Sequence, residues 1–475
     1  MKKIQKKSLV ATYRDRARAK HRKLVEDRKG RRGLSLHEKF ALWKKDHQAT
    51  KRWKHRIQKV EDKSERKAQK KGYKLYKKLG RRKYVIAFWV AIVLAIAILF
   101  GSWYYGATRP LTAEQSAARA HSLQVAREEM NEGTVLLRNK NNVLPLQSKK
   151  ISVFGTAAAA PVYGGGGAGG IAAKDVDSLY TAFDQAGIQY DKGLYNVYNN
   201  YVANGKVSTS NYTPPTGRSL LDTLLPNVAG FLSGAAKEMP VSKLPDDTFT
   251  TAKNFSDTAV YMISRVGTET QDLTPEKLRL SDDERVTLNK LDANFAHVVI
   301  LMNTTNAFEL SFVESYQHID GVLWIGAPGE VGTHAVADTL TGKVNPSGKL
   351  TDTYAYHLDS NPAAANVGNF QYTKDGAPTA RYFANYLESI YVGYRYYETF
   401  VSDVDYASVV QYPFGYGLSY TTFDWKTVAT QANKDTIRAQ VAVKNTGTVA
   451  GKEVVQAYYE PPFTQGGIEK SKIVL

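Results

Sequence analysis

The apolar positions along the chain change pattern several times. Residues 1–83 scatter a few aliphatics among charges, which predicts a segment unable to bury a core of its own. Val85 to Phe100 then reads VIAFWVAIVLAIAILF, 16 apolar residues in succession inside a stretch from Tyr84 to Thr108 that carries no charge. At about 1.5 Å per residue a helix of roughly 20 residues crosses a hydrocarbon core of ~30 Å, so this run predicts a transmembrane helix over 84–106. Thr112–Asn131 is polar and Ala-rich, a helix pattern. From KKISVFGT onward, nearly continuous apolar runs alternate with helical ones: DTAVYMISR (Asp257–Arg265), SDDERVTLNKLDANF, HVVILMN (His297–Asn303), GVLWIG (Gly321–Gly326) and GEVGTHAVADTLTG (Gly329–Gly342). Such alternation predicts a parallel sheet covered on both faces. Ser281 and Glu284 match a capping box at the start of one of these helices.

From about Thr421 the period shortens. DTIRAQVAVKNTG and AGKEVVQAYYEPP alternate like strands joined by Asn/Gly turns, the pattern of an antiparallel sandwich. Only about 55 residues remain, where a sandwich needs about 100, so the domain reads as partial.

Charge divides along the same lines. The net charge of +19 conceals 33 Lys/Arg and 8 Asp/Glu in residues 1–83, which leaves 31 of the 64 basic and 37 of the 45 acidic residues to Arg109–Leu475. A strongly basic tail thus precedes a body with a net charge of −6. By the positive-inside rule the tail is cytoplasmic and everything after Arg109 lies outside, with Trp103, Tyr104 and Tyr105 at one interface and Arg81, Arg82 and Lys83 at the other. The tail's partner is then anionic membrane lipid. Nucleic acid is disfavoured, because no folded nucleic-acid module is visible.

Several chemistries find no footing. With no cysteine, thiolate-bound zinc, iron–sulfur clusters, disulfide scaffolds and thiol nucleophiles are excluded. No His-Glu-x-x-His helix and no Gly-x-Ser-x-Gly elbow occurs, and His334 has no second histidine at i+4, which favours a packed histidine over a metal ligand. No metal or cofactor is expected. The run Gly164–Gly170 (GGGGAGG) fits neither the dinucleotide nor the phosphate-loop spacing, and reads as glycines that turn the chain or let backbone pass close to a cleft.

Six segments in order carry a resemblance: EGTVLLRNKNNVLPL (Glu132–Leu146), KKISVFG followed by VYGGGGAGG, VNPSGKLTDTY (Val344–Tyr354), IYVGYRYYET (Ile390–Thr399), YPFGYGLSYTTF (Tyr412–Phe423) and KNTGTVAGKEVVQAYY (Lys444–Tyr459). On these the chain resembles glycoside hydrolase family 3, the β-glucosidase and β-xylosidase family, over about Ala117–Leu475. The resemblance implies an α/β fold. Residues 1–83 are read as a basic cytoplasmic tail, 84–106 as the transmembrane helix, 107–120 as a juxtamembrane linker, 121–420 as the family's α/β sandwich domain, and 421–475 as part of its fibronectin type III-like β-sandwich. It further implies a domain order in which the nucleophile-bearing (β/α)8 barrel would follow, and the chain is expected to be cut off before it.

Glycoside hydrolysis usually takes two carboxyl groups about the scissile bond. In the family the nucleophile comes from the barrel, and many members place the acid/base Glu on a loop reading like ISRxxGEGxD. The matching segment here is ISRVGTETQDL, which implies Glu269 as acid/base, with Asp272 and Arg265 as substrate-binding candidates; Thr268 and Thr270 replace the two glycines. For Arg265, pairing with a cleft carboxylate and a structural salt bridge both stand open. The expected function is a membrane-anchored, single-pass glycoside hydrolase of β-glucosidase type, acting on extracellular oligosaccharides or glycosides. The alternative is a non-catalytic glycan-binding or envelope surface protein.

Overall fold

A computed structural model describes residues 2–29, 36–108, 110–165, 169–171, 176–204, 235–267, 273–366, 370–464, 466–467 and 471–475. The chain divides into two compact units, Met1–Ala113 and Glu114–Leu475.

The first unit is helical: α1 (Lys2–Lys29), α2 (Leu36–Gln58) and α3 (Lys63–Thr108). Among the described residues no apolar core cluster forms in this unit, and its helices meet through small residues together with the buried Ile57 of α2. Ala17 and Ala68 are fully buried, and Gly72 lets α3 approach α1 so closely that a Cβ there would lie 2.6 Å from the Tyr13 carbonyl oxygen. The Tyr13 hydroxyl donates to Glu65 Oε1 at 2.6 Å and accepts from Gln69 Nε2 at 3.0 Å, which fixes the helix pair in register. Trp53 of α2 meets Tyr73 and Tyr76 of α3 edge-on at 5.6 and 5.3 Å. The apolar run Val85–Phe100 lies inside α3, so the boundary expected at residue 84 is not a helix start, and most of the expected 107–120 linker belongs to α4 (Ala113–Gly133). Among the described residues no helix is long and apolar enough to cross a membrane. Of the apolar run Val85–Phe100, the side chains of residues 85–88 and 91 lie outside the described ones.

The second unit is a mixed α/β domain. Six strands, β1 (Val135–Asn139), β2 (Lys150–Phe154), β3 (Gln189–Tyr190), β4 (Thr258–Arg265), β5 (His297–Thr304) and β6 (Ile319–Trp324), form one sheet in the order β1-β6-β5-β4-β2-β3. The neighbours from β3 to β6 are parallel, as the alternation predicts. The edge strand β1 is antiparallel to β6, a departure from a wholly parallel sheet. It runs from α4 along the sheet edge beside β6, with the other four strands between the two in the chain, so no short crossover dictates a parallel pairing.

Alternate residues of the central strands bury on opposite faces. Tyr261, Ile263, Ile300 and Met302 join a core under α7 (Lys192–Ala203), α8 (Thr248–Phe255) and α9 (Asp282–Asn294). Val260, Met262, Val299 and Leu301 join another under α5 (Thr156–Ala159), α6 (Leu179–Ala186) and α10 (Thr333–Leu340). Each strand is therefore apolar at almost every position. The expected capping box is present at α9, where Ser281 and Glu284 satisfy each other's backbone N–H groups.

Beyond residue 420, β7 (Phe423–Ala432) and β8 (Ile437–Asn445) make an antiparallel hairpin. The alternating segment after it, AGKEVVQAYYEPP, forms no strand among the described residues; its one pairing is the isolated bridge of Tyr459 with Val474. Alternation supplies two faces but no ladder partner, and no described strand runs beside it.

Candidate active site

In an open parallel sheet, ligand-contacting groups gather where the strands end at their carboxyl edge. Here those ends are Phe154, Arg265, Thr304 and Trp324. Asn303, fully buried, ties the edge together: its Oδ1 accepts from Val162 N and the Ser264 hydroxyl, both at 2.7 Å, and its Nδ2 donates to the carbonyls of Val162 at 2.9 Å and Gly326 at 2.6 Å. All four hydrogen-bonding positions of the amide are filled, and the loops after β2 and β6 are fixed to β4 and β5. Gly164 and Gly169 of the glycine run come close together, for a Cβ on Gly164 would meet the Gly169 carbonyl oxygen at 2.3 Å; residues 166–168 of the run lie outside the described residues.

Glu238 lies beside the end of β2. The Thr156 N–H donates to its Oε2 at 2.9 Å, the Tyr198 hydroxyl approaches Oε1 at 3.5 Å, and Met239 N donates to Thr156 Oγ1 at 2.8 Å. Burial pushes its carboxyl up to about 8; the Thr156 N–H works against that rise and the charge of Glu284 adds to it. At neutral pH this carboxyl holds its proton.

Arg265 at the end of β4 spends every donor within the fold. Nε donates to Lys277 O at 2.6 Å, Nη1 to Ser264 O at 2.8 Å and Glu284 Oε1 at 2.7 Å, and Nη2 to Arg279 O at 2.8 Å and Glu284 Oε2 at 2.7 Å. The guanidinium has five N–H groups and none remains for a sugar. Arg265 therefore makes a salt bridge with Glu284, a carboxylate that itself lines the cavity at this edge.

A cavity of about 380 Å³ opens at this edge, lined by Glu238, Ser264, Arg265, Val266, Leu273 and Glu284 among others. Val266 and Leu273 bracket the loop of Glu269 and Asp272, both of which lie outside the described residues. A larger cavity of about 470 Å³ sits against α6 and α10, away from the strand ends. Most of its charges are already paired: Asp338 with Arg127 and, at 3.2 Å, with Lys343, while His334 Nε2 lies 2.8 Å from Asp177 Oδ2. His334 is thus the packed histidine the sequence favours. Among the described residues no three His, Asp or Glu side chains converge as a metal site.

Residues 134–420 match the family described as Glycosyl hydrolase family 3 C-terminal domain. The chain belongs to glycosyl hydrolase family 3. The family 3 domain is also similar to curated proteins: 32% identity over 405 residues to Beta-glucosidase A of Butyrivibrio fibrisolvens, covering 76% of this chain and 44% of that one, and 33% over 366 residues to a Beta-glucosidase of Ruminococcus albus, covering 74% and 34%. Among solved structures, beta-glucosidase 3B from Thermotoga neapolitana in complex with glucose superposes with a TM-score of 0.61 at 31% identity, over 75% of this chain and 46% of that one. The chain therefore spans less than half the length of these relatives.

Two residues of the family 3 domain's site were not found by sequence reasoning. Glu238 stands alone in AAKEMP with no pattern around it, and Asn303 ends an apolar run, where its polarity is the one signal that could have marked it.

Proposed function

We propose that this chain contributes the acid/base side of a β-glucosidase-type active site, with Glu269 as the proton donor to the glycosidic oxygen. What carries the reading is the cavity at the carboxyl end of β4, from which the loop bearing Glu269 departs, in a domain that matches family 3. A proton donor needs a carboxyl held neutral near pH 7, and an edge that already holds Glu238 protonated is an environment of that kind. The second carboxylate, about 5 to 5.5 Å away for a retaining reaction, comes in this proposal from the family's barrel. Asp272 is proposed to contact the sugar.

We further propose that residues 84–106 of α3 anchor the protein in the membrane, with 1–83 cytoplasmic and the α/β and fibronectin-like regions, 121–420 and 421–475, outside. Supporting this, α3 is unbroken through the apolar run, and Trp89, Val90, Val93, Leu94, Ile96, Ile98, Leu99 and Phe100 are exposed on every side of it. A helix apolar all round suits lipid.

A glycan-binding role without turnover is favoured by one observation: two of the carboxylates lining the cavity are engaged, Glu284 on Arg265 and Glu238 on Thr156. Assaying host membranes, which retain any partner or further domain, separates the two. Hydrolysis of an aryl β-glucoside that Glu269→Gln abolishes supports the enzyme; glucose binding with no turnover supports the second reading.

A further inference from the structure

The glycosidase reading leaves the first unit without a task, yet that unit holds a built cationic cleft. Lys20 of α1 and Arg52, Trp53 and Arg56 of α2 line a cavity of about 590 Å³. Lys20 Nζ lies 4.7 Å from the Trp53 ring centroid and 5.7 Å from that of Tyr76 on α3, so all three helices set its position. Arg52 and Arg56 stand at i and i+4, a like-charge pair that by itself disfavours the helix. Among the described residues no carboxylate forms an ion pair with Lys20, Arg52 or Arg56; the ion pair described in this unit, Arg18 with Asp15, lies elsewhere on α1. Three exposed cations with no counter-charge among the described residues, beside an indole, make a receptor for an anion, and two guanidinium forks select a phosphate oxygen pair.

We infer that this cleft binds the phosphate of an anionic lipid headgroup. The assignment to lipid rests on the proposed anchor. Tyr76 at the cleft and Val85 at the start of the apolar run are nine residues apart on one continuous helix, about 14 Å at ~1.5 Å per residue. The headgroup layer extends roughly 5 to 8 Å beyond the hydrocarbon, and the exposed Arg52 and Arg56 arms reach toward the remainder while Lys20 stays over the Trp53 ring. A flexible polybasic tail would attract anionic lipid diffusely. Here the packing of Ala17, Ala68 and Gly72 instead fixes α1 on α3 and gives the cleft a shape.

The test places the full chain in nanodiscs of phosphatidylcholine alone or mixed with phosphatidylglycerol, and reads the acylation rate of each lysine by mass spectrometry. Lys20 is expected to slow by about tenfold in the anionic discs while the exposed Lys63 and Lys67 change by under about twofold. The double variant Arg52→Gln/Arg56→Gln is expected to return Lys20 to its rate in neutral lipid. Co-elution of the chain with neutral discs reports the anchor separately, so a failed anchor is distinguished from a failed site. Equal slowing of all three lysines means diffuse attraction and overturns the site. Protection of Lys20 by inorganic pyrophosphate or an oligonucleotide in neutral discs, with none from phosphatidylglycerol, transfers the cleft to a soluble phosphate or a nucleic acid and overturns the lipid assignment.

Discussion

Arg265 at the end of β4 and Glu284 in the first turn of α9 share a bidentate ion pair, both Nη–Oε distances being 2.7 Å. Both side chains are largely buried, at 13% and 6% exposure, and the guanidinium lies over the Phe308 ring at 5.0 Å. Glu284 also accepts the Ser281 N–H, so one carboxylate caps a helix and anchors the strand end. Glu284→Gln leaves a buried cation without its partner and is expected to cost about 3 to 5 kcal/mol. Replacing both residues by methionine is expected to recover much of that loss. Denaturant midpoints of the single and double variants check it; a single variant within about 1 kcal/mol of wild type contradicts the structural role.

Glu238 gives a pH dependence. Its folded value, about 8, stands above the ordinary 4.5, so the folded state keeps a proton that the unfolded chain releases. Stability from this residue is full below about 4.5 and falls as pH rises toward about 8. Glu238→Gln keeps an acceptor for the Thr156 N–H and removes the ionisation. The variant is expected to gain on wild type steadily between those limits, by a few kcal/mol at most, in melting curves taken across the range. A constant difference at every pH argues against the proton.

Asn303 fills four hydrogen bonds in a site with no exposure. Asn303→Ala is expected to cost about 3 kcal/mol, through the orphaned Val162 and Gly326 groups. Asn303→Asp is expected to cost more, because an oxygen then faces both carbonyls that Nδ2 now serves. Equal stability of the aspartate variant, measured by chemical denaturation, would remove the network from the account.

Gly72 sets the spacing in the first unit. Gly72→Leu puts a side chain into the Tyr13 backbone and is expected to part α1 from α3 while leaving each helical. Circular dichroism with unchanged helicity, together with a longer distance between spin labels on the two helices, is the expected outcome. An unchanged distance contradicts the packing.

The sequence foretold the parts of this fold that depend on local pattern. Near-continuous apolar runs marked β2, β4, β5 and β6 because both faces of those strands are buried, and Ser281 with Glu284 marked the start of α9 because capping is a local bargain between neighbours. What escaped is non-local. The partners of Arg265 come from residues 277–284 as well as its own neighbour, and Glu238 meets Thr156 from 82 positions away. The antiparallel edge of β1 depends on which strand lies beside it. The helix pair in the basic segment rests on three small residues, a signal that composition dominated by charge conceals.

We propose that Glu269 donates the proton to the leaving group. The direct measurement is the rate of Glu269→Gln in host membranes on aryl β-glucosides of graded leaving-group ability. A lost general acid is expected to slow a phenyl glucoside by about 10²- to 10⁴-fold and a dinitrophenyl glucoside, whose leaving group needs no proton, far less. A variant that hydrolyses both at wild-type rates, with the leaving-group-dependent loss appearing instead in Glu238→Gln, contradicts the claim.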